Sequence, residues 1–377
     1  MKILFITHDS SLTGAPIVFL HLLSELKMKH DIEGDILTLK NGPLDDRFRM
    51  VFRLIAEKKE ITFIRNLKRI LKVFRLYQPI KSNLSGYDLG SSYDLIYCNT
   101  AATARLVPEL KEKFKCSMIL HVHELQLSIE QFAGIEIFKS TLPHVDVFIA
   151  ASKAVSVNLL ELGIPENKVQ IVHESIPVTE IKLQPLNDET LNSWKQNNYF
   201  IVGGAGTTDW RKGTDLFLYT AFKLSKTDPN IRFIWVGGFT ESIEYKRIQY
   251  ELKKLGLENL IHFTGMVTNP NDYYNLFDLF FLTSREDPFP LVCLENALLG
   301  KPVICFEGAG GIPELVEKYN ECIIPFASVE ESHNRILMFK ENNEKRGLIG
   351  NGLQSRVISE FNIARMAEKI MNIFKVR

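Results

Sequence analysis

Short runs rich in Val, Ile and Phe alternate along this chain with stretches whose apolar residues recur at helical spacing, and the alternation runs once, breaks, and runs again. Strands that are each followed by a helix cannot pair as hairpins. They lie parallel with helices over the sheet, so the pattern predicts an α/β chain of two doubly wound domains with a cleft between them. In the first pass the strand candidates are 2–7, 35–39, 94–98, 117–122, 145–150 and 169–172, with a helix over 17–27. In the second they are 199–206, 231–238, 261–267, 278–284, 302–306 and 321–326, with helices over 214–226, 245–255 and 290–299. Residues 177–198 carry Pro, Asn and Asp without a strong period and read as the linker. A last amphipathic helix is expected over 363–374.

Composition narrows the function classes. Lys plus Arg and Asp plus Glu both number 45, so the net charge is zero, which argues against a nucleic-acid binder with its usual basic surplus. No run of ~18 uncharged apolar residues occurs that could span a bilayer. The opening residues 1–7 turn polar too soon for a signal peptide. The five cysteines (Cys98, Cys116, Cys293, Cys305 and Cys322) are scattered, without a Cys-x-x-Cys pair. They read as reduced core thiols of a cytosolic protein. One basic segment stands out: cations at 65, 68, 69, 72 and 75 recur between apolar residues, extended by Arg53, Lys58, Lys59 and Lys81. A helix over 63–78 would lie on an anionic membrane surface, or pack on the core with a solvated basic face.

In open parallel sheets ligands bind beyond the carboxyl ends of the strands, so chemistry is sought in the loops there. In 285–297, Pro290 suits the first helical position and Gly300 the residue past the end. Glu295 then lies mid-helix among Leu291, Val292, Leu294, Leu298 and Leu299. A buried carboxylate needs a partner, and a sugar or ribose diol can donate two hydrogen bonds to it. The alternative is a thin solvent-facing stripe shared with Asn296. Asp287 either contacts ligand or caps the helix. In 206–213, Arg211 and Lys212 stand ahead of a helix N-terminus, where phosphate is the natural occupant; the alternative is a solvated pair. The loop 11–16 holds Gly14 in the position of a phosphate-approach loop but lacks G-x-G-x-x-G and Walker A spacing, so a simple turn is the alternative. His121 and His123 share one strand face. No third ligand has supporting spacing, so no metal is assigned; His121 reads as core and His123 as the pocket candidate. In 308–314 the glycines permit close backbone approach to a ligand, or form a tight turn with Glu314 on the helix dipole.

Taken in this order, the loops resemble the retaining glycosyltransferases of family 4, which have the GT-B fold of two Rossmann-like domains. The family's E-x7-E motif matches as Asp287 to Glu295, with Asp for the first Glu. Residues 291–306, 310–316, 211–213 and 263–267 are similar to family members, as are Thr13-Gly14-Ala15, His123 and the segments 146–152 and 159–173. The resemblance implies an acceptor-side domain over 1–180 and a nucleotide-sugar-binding domain over 181–360, with the helix near 361–377 packing back on the first. It implies that Glu295 holds the ribose and Asp287 a hydroxyl of the transferred sugar, assisted by the N–H groups of Phe289 and Leu291. Lys212, with Arg211 and the Gly14 N–H, would neutralise the diphosphate; His123 would line the sugar pocket; the base would lie against 266–268, at Val267. The implied donor is a nucleotide diphosphate-sugar, a substrate rather than a cofactor, with no metal ion. The implied acceptor is a sugar or lipid-linked saccharide, in cell-surface polysaccharide, O-antigen or glycolipid synthesis. Alternatives are a catalytically silent sugar-nucleotide-binding protein and another GT-B chemistry, such as a nucleotide-sugar 2-epimerase. The chain departs from the family at Thr207, where members carry Arg, at Pro288 and Pro290, which remove two N–H donors, and at Thr13, which replaces a glycine.

Overall fold

The computed structural model describes residues 1–56, 84–179, 181 and 183–376; the basic stretch 63–78, with Lys58, Lys59 and Lys81, lies outside the described residues. The chain divides into two compact units: Met1–Ala151, Val155–Val172 and Met366–Arg377 form the first, Ser152–Ala154 and His173–Arg365 the second.

Among the described residues the first unit is built on seven parallel strands: β1 (Lys2–Thr7), β2 (Glu33–Thr38), β3 (Arg53–Ala56), β4 (Leu95–Asn99), β5 (Ser117–Val122), β6 (Val147–Ala150) and β7 (Val169–Ile171). They lie in the order β3-β2-β1-β4-β5-β6-β7. Alternate side chains leave opposite faces, and both faces are buried. Leu4, Ile6, Ile96, Cys98, Leu120 and Phe148 pack in one cluster, while Phe5, Phe19 and Phe374 place their rings around Tyr97 at 5.8–6.1 Å.

Strand β3 is absent from the sequence reading, which assigned Arg53 to the basic surface. Its side chain is exposed, and its guanidinium also donates to both oxygens of the buried Asp35 on β2, at 2.8 and 2.9 Å. The Tyr93 hydroxyl donates to the same carboxylate at 2.6 Å. A charge inside such a pair is neutralised at the sheet edge and adds little to an external field.

The second unit has six parallel strands: β8 (Phe200–Ala205), β9 (Ile231–Val236), β10 (Ile261–Phe263), β11 (Leu279–Leu282), β12 (Val303–Phe306) and β13 (Ile323–Ile324). Their order is β10-β9-β8-β11-β12-β13. Part of the stretch read as linker is a helix, Glu189–Gln196. The Asp188 carboxylate accepts from the Leu191 N–H at 3.0 Å and caps it, and Leu191 and Trp194 enter the core. Two apolar anchors in eight residues give too weak a period to show in the sequence.

Both sheets therefore carry the doubly wound order, whose reversal leaves a crevice at the carboxyl ends of two adjacent strands. In the first unit those strands are β1 and β4; in the second, β8 and β11. All five cysteines are free, and four are buried. No helix among the described residues is long and apolar enough to cross a membrane.

Candidate functional site

In the second unit the loops after β8 and β11 are knitted together. Asp209 accepts from the Lys212 N–H at 3.1 Å and from the Thr207 hydroxyl at 2.6 Å, shaping the turn Trp210–Lys212. Gly213 follows at φ +67, and a Cβ there would sit 2.0 Å from the Thr283 carbonyl oxygen, so only glycine fits. The Thr283 hydroxyl donates to the Lys212 carbonyl at 2.9 Å, and the Arg285 N–H donates to the Arg211 carbonyl at 2.7 Å. The Arg285 guanidinium grips both oxygens of Asp215 at 2.8 and 2.7 Å.

This stitching brings Lys212 Nζ to 2.5 Å from Asp287 Oδ2. The Ser284 hydroxyl donates to the same oxygen at 2.9 Å. Arg211 lies 3.8 Å from Asp287 Oδ1 and donates to the Glu286 carbonyl at 3.0 Å. The two cations are thus turned onto the Asp287 loop, and Thr207 is engaged with Asp209.

Asp287 does not cap the following helix, Leu291–Leu298; the cap position is Pro290, which has extended ψ and is not itself helical. The Asp287 backbone instead bridges to Gly310, donating to Ala309 O at 2.7 Å and accepting from the Gly311 N–H at 3.2 Å. Gly310 has φ +143, and a Cβ there would lie 1.7 Å from Asp287 O. This glycine admits the protein's own loop, which is a structural reason for it that the sequence did not disclose. The Phe289 ring is buried against His173 and Phe361, each 5.3 Å away. Among the described residues the Phe289, Leu291 and Val292 N–H groups have no acceptor.

Glu295 is half-buried, and no described residue hydrogen-bonds its carboxyl group. Burial pushes its pKa up to about 7. Its neighbour Asn296 is fully buried and donates to the Val292 carbonyl at 2.8 Å, which removes the reading of a solvent-facing stripe shared by both. The buried Cys293 thiol is raised well above its usual range, chiefly by burial and then by the nearby Asp287. Val267 is half-buried, in the turn after β10. That turn meets the loop after β9 through a Gly237 N–H that donates to Gly265 O at 3.0 Å.

Glu314, read as a helix-dipole residue, does more. It accepts from the N–H groups of Lys153 and Ala154, both at 3.0 Å, and meets His173 Nε2 at 2.7 Å. No local pattern announces partners more than 140 residues away.

In the first unit Gly14 is exposed and opens the helix Gly14–Lys29. His121 is fully buried, its Nδ1 2.5 Å from the Tyr97 hydroxyl, and burial holds its pKa well below the ordinary value. His123 lies 4.0 Å from it ring to ring, with Nε2 2.8 Å from Asn99 Oδ1. It is 8% exposed. Asn99, Thr100 and His8 complete this wall and carried no motif.

Two family models match the chain: one described as "Glycosyl transferases group 1" over residues 188–355, the other as "Glycosyltransferase Family 4" over residues 12–180. The O-antigen biosynthesis glycosyltransferase WclY of Escherichia coli is 23% identical over 388 residues, covering 99% of this chain and 98% of that protein. The alpha-galactosylglucosyldiacylglycerol synthase of Streptococcus pneumoniae is 36% identical over 160 residues, covering 39% of this chain and 40% of that enzyme. Among solved structures, Anabaena HepE in complex with UDP-glucose superposes with a TM-score of 0.79 at 20% identity, covering 100% of both chains.

Proposed function

This chain belongs to the family 4, group 1 glycosyltransferases and has their GT-B fold, and from that premise we propose that it moves a sugar from a nucleotide diphosphate-sugar to an acceptor hydroxyl with retention of configuration. The observation that carries the reading is Glu295: a half-buried carboxyl group to which no described residue hydrogen-bonds, and whose pKa burial pushes up to about 7. A ribose diol supplies the two donors it lacks.

In the second unit we assign Glu295 to the ribose and Lys212 to the diphosphate, with Arg211 as its auxiliary. Asp287 takes a hydroxyl of the transferred sugar, the free amides of Phe289 and Leu291 assist, and Val267 meets the base. In the first unit we assign the Gly14 amide to the diphosphate and His123 to the sugar. Negative charge grows on the departing diphosphate, and preorganised cations and amides aimed at that charge are the largest catalytic term. Lys212 and Arg211 fill that role, so we read the transfer as needing no metal ion. The leaving phosphate takes the acceptor proton on the face it departs from.

The UDP-glucose complex of the HepE neighbour supports a nucleotide-sugar donor. The names of the relatives support an acceptor in O-antigen or glycolipid synthesis. That would set the reaction at the cytoplasmic face of a membrane, with 63–78 as the contact. Liposome flotation with anionic lipid tests the contact, and salt-insensitive or absent flotation ends it.

The central test is release of nucleoside diphosphate from UDP-glucose, GDP-mannose and ADP-glucose by the full chain. Release from at least one, lost in both Lys212→Ala and Glu295→Ala, is expected. Wild-type rates in both variants would overturn the assignment.

A further inference from the structure

Beside His123, the crevice of the first unit holds polar residues that the roles above leave unused: His8, Asn99 and Thr100. β1 ends at Thr7 and β4 at Asn99, and the residues at those ends reach two histidines. His8 Nδ1 lies 3.1 Å from Thr100 Oγ1, and Asn99 Oδ1 lies 2.8 Å from His123 Nε2. Two consecutive residues therefore set two imidazoles that come from different strand ends.

The arrangement is not a relaxed one. Thr100 has φ 83 and ψ 149, a region that a β-branched residue enters only when its surroundings force it. It is pinned there from both sides. Its N–H donates to the His121 carbonyl at 2.8 Å, and its carbonyl accepts from the Thr103 hydroxyl at 2.7 Å. Non-glycine strain of this kind concentrates at functional sites.

A second observation is independent of the backbone. Asn99 is 1% exposed, and its Nδ2 has no acceptor among the described residues. Buried donors are nearly always satisfied in folded proteins, and an orphan asks for a reason. His8, whose side chain is 30% exposed, is within reach of solvent; its Nε2 stands 3.5 Å from an Asp9 oxygen and makes no hydrogen bond to a described residue. Burial lowers the His8 pKa, ahead of the opposing pull of Asp9 and the smaller pushes of His123 and Lys40. The ring is then neutral near pH 7, with one donor and one acceptor. A neutral imidazole and an amide suit hydroxyls, and the nearby Asp9 carboxylate repels phosphate.

Resting on the transferase reading, we propose that His8 and Asn99 bind a hydroxyl of the saccharide acceptor, and that Thr100 is the positioning residue that sets His8 for it. A single lost hydrogen bond of this kind corresponds to about a tenfold change in affinity.

The test uses the full chain with 15N-labelled histidine and three probes: the methyl α-glycosides of glucose, galactose and mannose. At least one probe is expected to move the His8 imidazole signals in wild type and in Thr100→Ser, which keeps the hydroxyl. Binding should weaken about tenfold in Thr100→Gly, which relieves the backbone but removes the hydroxyl, and in Asn99→Ala. The thermal shift given by UDP-glucose should be unchanged in His8→Ala. If no glycoside moves His8 in wild type, the site is refuted. Equal binding by Thr100→Gly removes the positioning role, and a UDP-glucose shift lost in His8→Ala moves the residue to the donor side and overturns the acceptor assignment. Because the readout needs no turnover, a protein that binds glycoside at His8 yet releases no nucleoside diphosphate would sink the transferase mechanism alone.

Discussion

Lys212 Nζ sits 2.5 Å from Asp287 Oδ2, although 75 residues separate the two in the chain. The side chain of Asp287 is 6% exposed and that of Lys212 14%, so each charge relies on the other. The pair also sets a competition: a lysine that is to meet a diphosphate is held, without ligand, by the carboxylate assigned to the sugar.

Lys212→Met removes the cation and leaves Asp287 with the Ser284 hydroxyl and Arg211 at 3.8 Å. Breaking a buried pair from one side costs about 3 kcal/mol, and loss of a transition-state cation costs ~10²-fold or more in kcat. Adding Asp287→Asn should restore most of the stability but none of the turnover. Denaturant midpoints and donor release on the same double-mutant cycle read both. Stability that stays low in the double variant would show that the pair is not what holds the loop.

Glu295 gives stability a pH dependence of known sign. Its folded pKa, about 7, lies above the ordinary carboxyl value of about 4.3, so the folded state binds the extra proton. Stability from this group is present below the unfolded pKa and is lost as pH rises through the folded one. The loss reaches about 4 kcal/mol above pH 8. Glu295→Gln cannot titrate, so its Tm relative to wild type should climb between pH 5 and pH 8. A difference that stays flat over that range would mean the carboxyl is solvated.

Gly308 and Gly310 both have positive φ, but only one is crowded. A Cβ at Gly308 meets open space, whereas one at Gly310 would lie 1.7 Å from Asp287 O. Gly308→Ala should cost ~1–2 kcal/mol for the backbone conformation alone. Gly310→Ala must also push the Asp287 loop away, so it should cost more and lower donor turnover with it. Matching urea midpoints for the two variants would contradict the packing.

Glu314 satisfies two backbone amides and an imidazole at once. Glu314→Ala removes all three hydrogen bonds; the Lys153 N–H is exposed and the other two groups are half-buried, so each costs about 0.5–1.5 kcal/mol. It also frees His173, whose ring lies edge-on to Phe289. Calorimetry should show a lower Tm for the second unit, and amide exchange at Lys153 and Ala154, which lose their acceptor, should speed up. Unaltered exchange there would show that Glu314 does not hold these amides.

Much of the fold is legible in the residues because parallel strands buried on both faces read as apolar runs. β1 and β5 fall where the runs predict them, and other strands shift by one to four residues at their ends. β3 and the helix Glu189–Gln196 escape because they are short and held by tertiary partners, Asp35 in one case and the core under Trp194 in the other. Lys212, Asp287 and Glu295 could be singled out because strand, loop and helix punctuation places them beyond strand ends.

By itself, the order of amino acids determined most of the segments that become strands and helices, β3 and Glu189–Gln196 excepted, that the strands run parallel, and which loops face the reactive end of each sheet. All of these follow from period, turn chemistry and caps within a few residues. Only tertiary structure decided who meets whom: Lys212 with Asp287, Glu314 with His173, Thr100 with His8. In a doubly wound sheet a strand's neighbour is often not the next one in sequence, since β8 pairs with β11 and β1 with β4. Contacts that assemble the chemistry are therefore set by packing over 75 residues or more, beyond the reach of any local pattern.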